Sequence, residues 1–586
     1  MQGRTRDYAV LIALCAVLTL PNLGAPSLWD VDEGVNAEAA REMRDNDSWL
    51  IPTFNYKLRT AKPVMLYWLQ RFSFAAFGVS EWSARLPSAI LTCCAVLLLY
   101  ELARRMFDRT TGLLAGVVMA SAIEVCLLAH AATPDATLLV FTVLTFYAFW
   151  RGHTPAQPEI AHASEGEAGR TPAQPEIAHA SEGGAGRNDG SNRWWRWTAA
   201  ACALAMLTKG PVGVALPGLV IFLYFAWNRE LSRLLDRRIL TAGLLFLLIA
   251  GPWYGLVTAE TRGEWARQFF GRENMHRFST PMDNHSGPFF YHSAALLVLF
   301  APWSAFLLAA LWYSWRGAQR LAEETAPLPR PERLLLCWFG AYLVFFSAAA
   351  TKLPNYMLPA YPALAVLSAR FFMRWRAGEV SVPKWVMSVG VASVALTGLA
   401  FAVGLVVVSG VLGLLPETAR TFPGAERVAV LGLVPLACAF VLWRALRAND
   451  RPRFVRAQAV GAVAFTALLA AFGSGPFDAR KAAKELVRAS GVSSPERDIR
   501  LAHHDWFQPS IVFCARREVT EVFGREAVAE FLAVPTPGYL FVPANTWAQL
   551  EPHVKVPVRV AARHYDFYRN KEILVVTNDG AATAAR

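Results

Sequence analysis

Three carboxylates crowd the run Leu28-Trp29-Asp30-Val31-Asp32-Glu33-Gly34, directly after the first apolar stretch, and Ala61-Lys62-Pro63 follows about thirty residues later. A carboxylate beside a bilayer is costly to desolvate unless water or a cation accompanies it. Acids at a membrane exit with a lysine close behind therefore describe a wet site at a lipid surface. Asp32 or Glu33 there can act as general base toward an acceptor hydroxyl. A helical pattern follows them, so they also qualify as first-turn acids favoured by the helix dipole. Lys62 abuts apolar Val64 to Trp68, where an ammonium either snorkels to headgroups or holds a lipid phosphate as a point charge.

Further charged residues stand at comparable places. Thr133-Pro134-Asp135 sets an acid where an apolar run begins, a position that also suits helix capping. Lys209 in Thr208-Lys209-Gly210-Pro211 and Lys352 in Thr351-Lys352-Leu353-Pro354-Asn355-Tyr356 mark tight, proline-bearing exits. The stretch 258–289 carries Glu273, His276 and Arg277, then His285-Ser286-Gly287. A lone His285 is either a hydrogen-bonded loop residue or a single metal ligand.

The elements that must position these groups are apolar. The chain has 586 residues, 54% of them hydrophobic, and a mean hydropathy of +0.30. About thirteen stretches approach the ~20 residues needed to cross a bilayer, which predicts a polytopic α-helical membrane protein. They run near 8–23, 84–105, 111–129, 135–150, 194–208, 211–228, 237–257, 290–314, 333–350, 355–371, 384–413, 427–447 and 457–473. The net charge of +12 comes largely from arginines in alternate loops, such as Arg104, Arg105 and Arg109, or Arg444, Arg447 and Arg451. That pattern fixes those loops and the N-terminus as cytoplasmic and accounts for the basicity without nucleic acid. An odd span count then sends the C-terminus outward, with 24–83, 258–289 and 474–586 on the outer side. Every charged motif singled out above falls on that side or at its edge.

The segment 24–83 reads as amphipathic helices lying along the membrane surface. Within 151–193 a tandem repeat opens at Thr154-Pro155-Ala156-Gln157 and again at Thr171-Pro172-Ala173-Gln174; its composition predicts a disordered cytoplasmic insertion. Residues 474–586 carry short apolar runs at 499–501, 519–522, 539–542 and 573–576, with helical character at 525–534 and 545–554. A small extracytoplasmic α/β domain is expected after the membrane domain of 1–473. The eight cysteines include no CxxC pair, so neither a disulfide framework nor a cysteine zinc site is indicated.

Taken in order, Asp32-Glu33, Lys62-Pro63, Asp135, the Glu273-to-Tyr291 loop and Lys352-Leu353-Pro354-Asn355-Tyr356-Met357-Leu358-Pro359 resemble bacterial lipid-carrier-dependent glycosyltransferases of the GT-C class. These belong to the superfamily of protein O-mannosyltransferases and aminoarabinose transferases of lipid A, and the resemblance extends over most of the chain. It implies an inner-membrane enzyme that moves a sugar from a polyprenyl-phosphate donor to an envelope acceptor, lipid A or another lipid or glycan. Transfer would occur on the periplasmic face with inversion. It further implies Asp32 and Asp135 as the catalytic aspartates, Lys62 on the donor phosphate and Tyr356 near it, with Glu33, Lys209, Arg277 and Lys352 as further substrate contacts.

Two departures bear on specificity. Val35-Asn36 stands where the aminoarabinose transferases have Arg-Tyr, and Ala61 stands where they have a glutamate paired with a loop histidine at a metal site. His285 occupies that histidine's place alone, so a divalent ion is expected to bind poorly. The alternative acceptor is a protein Ser/Thr, as for the O-mannosyltransferases. A lipid-linked-sugar flippase is the rival of another class; transporters bury ionisable groups near mid-span between repeat halves, whereas here the charges gather at one face.

Overall fold

The computed structural model describes residues 2–154, 187–282, 285–320, 330–416, 418–493 and 497–580; the repeat insertion lies almost wholly outside the described residues. Helices dominate. Among the described residues five are long and apolar enough to cross a membrane: Glu81–Met106, Arg237–Glu260, Lys384–Val408, Ala425–Arg447 and Arg451–Asp478. Two bent pairs raise the number to seven, Arg109–Ala120 with Ile123–Ala129 at 64° and Tyr291–Leu299 with Trp303–Gln319 at 115°. The expected straight span over 290–314 is thus broken, and Pro302, which has no N–H to give, sits at the break. Other expected spans are helices that are short for a bilayer. Val212–Asn228 has 17 residues, about 25 Å of rise against a ~30 Å hydrocarbon core.

The main core is largely apolar, with Trp338, Tyr361 and Phe372 among its fully buried side chains. A second core joins the surface segment to the bundle through Ala40, Met43, Tyr67, Trp253 and Trp265. Within 24–83 lie two helices, Asp32–Asp45 and Met65–Phe77, but also a hairpin that the helical expectation omitted. Its strands β1 (Thr53–Phe54) and β2 (Lys57–Leu58) pair antiparallel. The turn residues Asn55 and Tyr56 have φ of 51° and 61°, the left-handed pair that a tight hairpin turn requires.

The C-terminal sheet has five strands: β3 (Arg500–His503), β4 (Val519–Glu521), β5 (Gly538–Pro543), β6 (Arg559–Asp566) and β7 (Lys571–Thr577), in the order β4-β3-β5-β7-β6. β3 runs parallel to β4 and β5, while β7 is antiparallel to β5 and β6. Apolar side chains cover both faces, Leu486, Ile511 and Val512 on one, Val528, Leu532 and Trp547 on the other. The central β5 is buried along its whole length, as a strand covered on both sides must be.

The sheet is tied to the surface segment by polar contacts. Asp30 accepts bonds from the Ser510 amide at 2.8 Å and from its hydroxyl. Asn55 reads both the N–H and the C=O of Val519, each at 2.9 Å. Ser27 donates to Asp478 and its carbonyl receives Lys481. Gly34 permits the approach, since a Cβ there would meet the Ser510 nitrogen at 2.7 Å.

Candidate active site

Helix Asp32–Asp45 begins with two acids whose side chains diverge. Glu33 is 2% exposed and points inward. It accepts from Arg85 Nε and Nη2 at 2.8 and 2.7 Å, from the Trp29 amide at 2.8 Å and from the Ala132 amide at 2.6 Å. Four donors fill a carboxylate's acceptor sites. Glu33, expected on substrate, instead pins the loop before the helix to two neighbouring segments; the guanidinium holds its carboxyl below the usual range against the opposing effect of burial.

Asp32 is exposed and makes no hydrogen bond or ion pair among the described residues. Its charge is felt by Lys62, Lys209 and Tyr67, so the four lie near one another. Lys62 likewise has no hydrogen-bond partner among the described residues. Burial is the main influence lowering its pKa, to about 8; Lys209 and Arg277 lower it further, and Asp32 and Asp135 oppose them. An ammonium beside two other cations is poised to receive an anion.

Asp135 opens the helix Asp135–His153. One carboxylate oxygen accepts Lys209 Nζ at 2.6 Å and the other accepts Asn355 Nδ2 at 3.2 Å. Lys209 Nζ also lies 5.5 Å from the centre of the Tyr356 ring, so three widely separated segments meet at this ion pair. Gly210 turns the chain after Lys209 with φ +80°, and a Cβ there would meet the Phe269 ring at 2.5 Å. Phe269 belongs to the π-helical stretch Arg267–His276, which leads into Arg277. Such widened turns recur at functional sites. Arg277 pairs with Glu273 at 3.4 Å, and its charge also acts on Lys62.

Lys352 does not join this group. Its ammonium is buried and donates to the carbonyls of Phe346, Ser347 and Ala349. It closes the C-terminal end of helix Pro331–Ala348, whose last carbonyls lack intrahelical donors. The expectation that Lys352 binds phosphate is corrected accordingly. The metal expectation for His285 does not fit either. His285 is exposed, Ala61 offers no ligand, and no group of three or more His, Cys, Asp or Glu able to hold an ion lies among the described residues.

Sequence reading overlooked Asn355, Arg59 and Arg85. Asn355 was legible, since it lies inside the Lys352-to-Tyr356 motif. Arg59 donates to Tyr67 Oη at 2.6 Å and to Asn36 Oδ1 at 2.9 Å, so the departure at Asn36 is an interior tie. Arg85 sits in an apolar helix with no local signal of its partner 52 residues earlier.

The chain is similar to several known proteins. The family model described as dolichyl-phosphate-mannose-protein mannosyltransferase matches residues 61–160. The undecaprenyl phosphate-alpha-4-amino-4-deoxy-L-arabinose arabinosyl transferase 2 of Proteus mirabilis is 30% identical over 62% of this chain, which spans 59% of that protein's length. An uncharacterized protein of Aquifex aeolicus is 31% identical over 58% of this chain and 67% of its own. The crystal structure of ArnT from Cupriavidus metallidurans bound to undecaprenyl phosphate shares the fold, with a TM-score of 0.78, 24% identity, and coverage of 98% of this chain and 97% of that one. The chain is thus similar to the dolichyl-phosphate-mannose-protein mannosyltransferases over residues 61–160 and to the arabinosyl transferases over about three fifths of its length.

Proposed function

We propose that this protein transfers a sugar from a polyprenyl-phosphate carrier to an acceptor at the outer face of the inner membrane, with inversion at the anomeric carbon. One observation carries the reading: Asp32 and Lys62, opposite in charge and each without a hydrogen-bond partner among the described residues, lie near one another and near the Lys209–Asp135 pair. The donor phosphate lies on Lys62, with Lys209 and Arg277 adding positive field. As the bond from anomeric carbon to phosphate oxygen breaks, negative charge grows on the leaving polyprenyl phosphate. A fixed ammonium stabilises it more there than in the ground state, which is the condition for catalysis. The acceptor oxygen attacks from the opposite side, and Asp32 takes its proton when it is a hydroxyl. When the acceptor is a phosphate, as on lipid A, it carries no such proton and Asp32 orients it. Asp135 holds Lys209 in place. No step is routed through a metal.

The thirteen-span plan, with a cytoplasmic N-terminus and 24–83 and 474–586 outside, belongs to the same proposal. Its support is convergence: the arginine bias put Asp32, Lys62, Asp135 and Lys209 at one face, and these four residues lie near one another. Mass spectrometry of lipid A and envelope glycoproteins from cells with and without the protein tests the reaction. Lipid A should gain one sugar only when the protein is present. Unchanged lipid A with new sugar on Ser/Thr of envelope proteins would reassign the acceptor, and no difference in either fraction would overturn the reading.

A further inference from the structure

A second cavity lies next to this site. Hairpin β1–β2 and the β3–β4 corner of the C-terminal sheet enclose a cleft of about 460 Å³, within the ~300–1,000 Å³ typical of small-molecule sites. Its walls come from regions more than 400 residues apart in sequence, clamped by the paired Asn55–Val519 hydrogen bonds. Its floor, Arg59-Thr60-Ala61, runs directly into Lys62. Arg59 is itself bonded to Tyr67, which lies in the field of Asp32.

The lining is mixed in a particular way. Phe54 and Phe507 pack edge to face, with centroids 6.3 Å apart, and form an apolar wall. Lys57 is exposed and has no ion pair among the described residues, and Arg59 adds a second cation. His503 is only 8% exposed yet has no hydrogen-bond partner among the described residues. Its ring leans on Phe507 at 4.6 Å and lines the cleft, where Lys57 and Glu521 both act on it. Neighbouring His504 is directed elsewhere, its Nδ1 lying 2.8 Å from the Val522 carbonyl oxygen.

Each part suits a portion of a phosphorylated saccharide. The phenylalanines give a sugar ring apolar contact, Glu521 accepts ring hydroxyls, and His503 donates to or accepts from them. Lys57 and Arg59 provide charge-assisted contacts to a phosphate. We propose that the cleft between the β1–β2 hairpin and the β3–β4 corner is the acceptor subsite and seats the phosphate-bearing saccharide end of the acceptor. This rests on the glycosyl-transfer reading above and adds to it where the acceptor lies and what chemistry it presents.

The test uses purified full-length protein in detergent. It is titrated with a water-soluble diglucosamine bisphosphate and separately with inorganic phosphate, and transfer to lipid A is assayed with undecaprenyl-phosphate donors carrying aminoarabinose, mannose or glucose. Wild type should bind the saccharide more tightly than inorganic phosphate. Lys57→Glu and His503→Gln should each weaken saccharide binding and raise the acceptor KM by about tenfold or more, the loss expected for a charge-assisted contact, with donor KM unchanged. Lys57 is exposed, so its variant carries the test if the buried His503→Gln fails to fold. Saccharide binding in Lys57→Glu equal to wild type overturns the proposal. So does inorganic phosphate binding as tightly as the saccharide, or no saccharide binding to wild type. Cleft-dependent saccharide binding by a wild-type protein that transfers no sugar would instead overturn the glycosyl-transfer reading and leave the cleft as a saccharide site.

Discussion

Asp32 and Glu33 are consecutive acids in one helical turn, yet Glu33 holds four donors and Asp32 none among the described residues. Lys62 and Lys352 form a parallel contrast, one open to the site and one closed over three carbonyls. A rotation of about 100° per residue turns Glu33 toward Arg85 and Asp32 toward the lysines. Residue type is nearly the same within each pair. What separates structure from chemistry is whether the fold satisfies the charge itself or leaves that to a substrate.

The sharpest way to break this contrast is to neutralise the two acids one at a time. With a hydroxyl acceptor, Asp32→Asn should lower transfer by about 10²–10⁴-fold, the usual loss for a positioned base, while thermal stability in detergent stays at the wild-type value. Turnover near wild type in that variant would remove Asp32 from the reaction. Glu33→Gln should do the reverse at first order. It leaves Arg85 buried without its countercharge, a change that costs about 3–5 kcal/mol, so melting temperature and yield should fall before any kinetic effect is assignable.

The same contrast explains what the sequence disclosed. Asp32, Lys62, Asp135, Lys209 and Tyr356 were legible because each stands at a membrane exit or in a proline-marked motif, places where an ionisable residue demands a reason. Glu33 and Lys352 shared those signals and differ only in their partners, which are set by tertiary packing. Arg85 is invisible from sequence for that reason. In the C-terminal sheet four strands were legible as apolar runs. β6 was not, because Arg559–Asp566 is a polar, half-exposed edge strand whose partner β7 supplies its order. The bend at Pro302 and the hairpin at Asn55-Tyr56 were written in residues with special backbone needs, and long apolar or amphipathic stretches masked both.

The lysines provide a smaller test. Lys62→Ala should weaken use of the donor by about ten- to a hundredfold, the worth of one charge-assisted contact to phosphate, and Lys62→Arg should lose less. Because the free Lys62 ammonium is depressed to about 8, donor kcat/KM in wild type should fall as pH rises through that value. Arginine at 62 keeps its proton and should abolish that decline. Lys352→Met should leave donor KM unchanged and lower stability by about 1–3 kcal/mol, since buried carbonyls lose their donor. Donor kinetics that respond to Lys352→Met and ignore Lys62→Ala would exchange the two assignments.

The smallest effect is expected at Asp30, which stands between the two cases, bonded to Ser510 yet only two residues from Asp32. Burial raises its pKa from 3.8 to about 7, although the Ser510 hydroxyl and amide favour the charged form. A carboxyl whose folded pKa lies above its unfolded value binds its proton more tightly when folded. Its contribution to stability is therefore complete below about pH 4 and is lost as pH rises through about 7. The contact it governs joins helix Ser510–Ala515 to the start of helix Asp32–Asp45. Hydrogen exchange at Ser510–Ala515 should accordingly be faster at pH 8 than at pH 5 once corrected for the intrinsic pH dependence of exchange. Asp30→Asn keeps an oxygen for the Ser510 donors and has no proton to lose, so it should flatten that difference. A pH dependence that persists unchanged in Asp30→Asn would assign the effect to another group and leave Asp30 with the satisfied charges, beside Glu33 and Lys352.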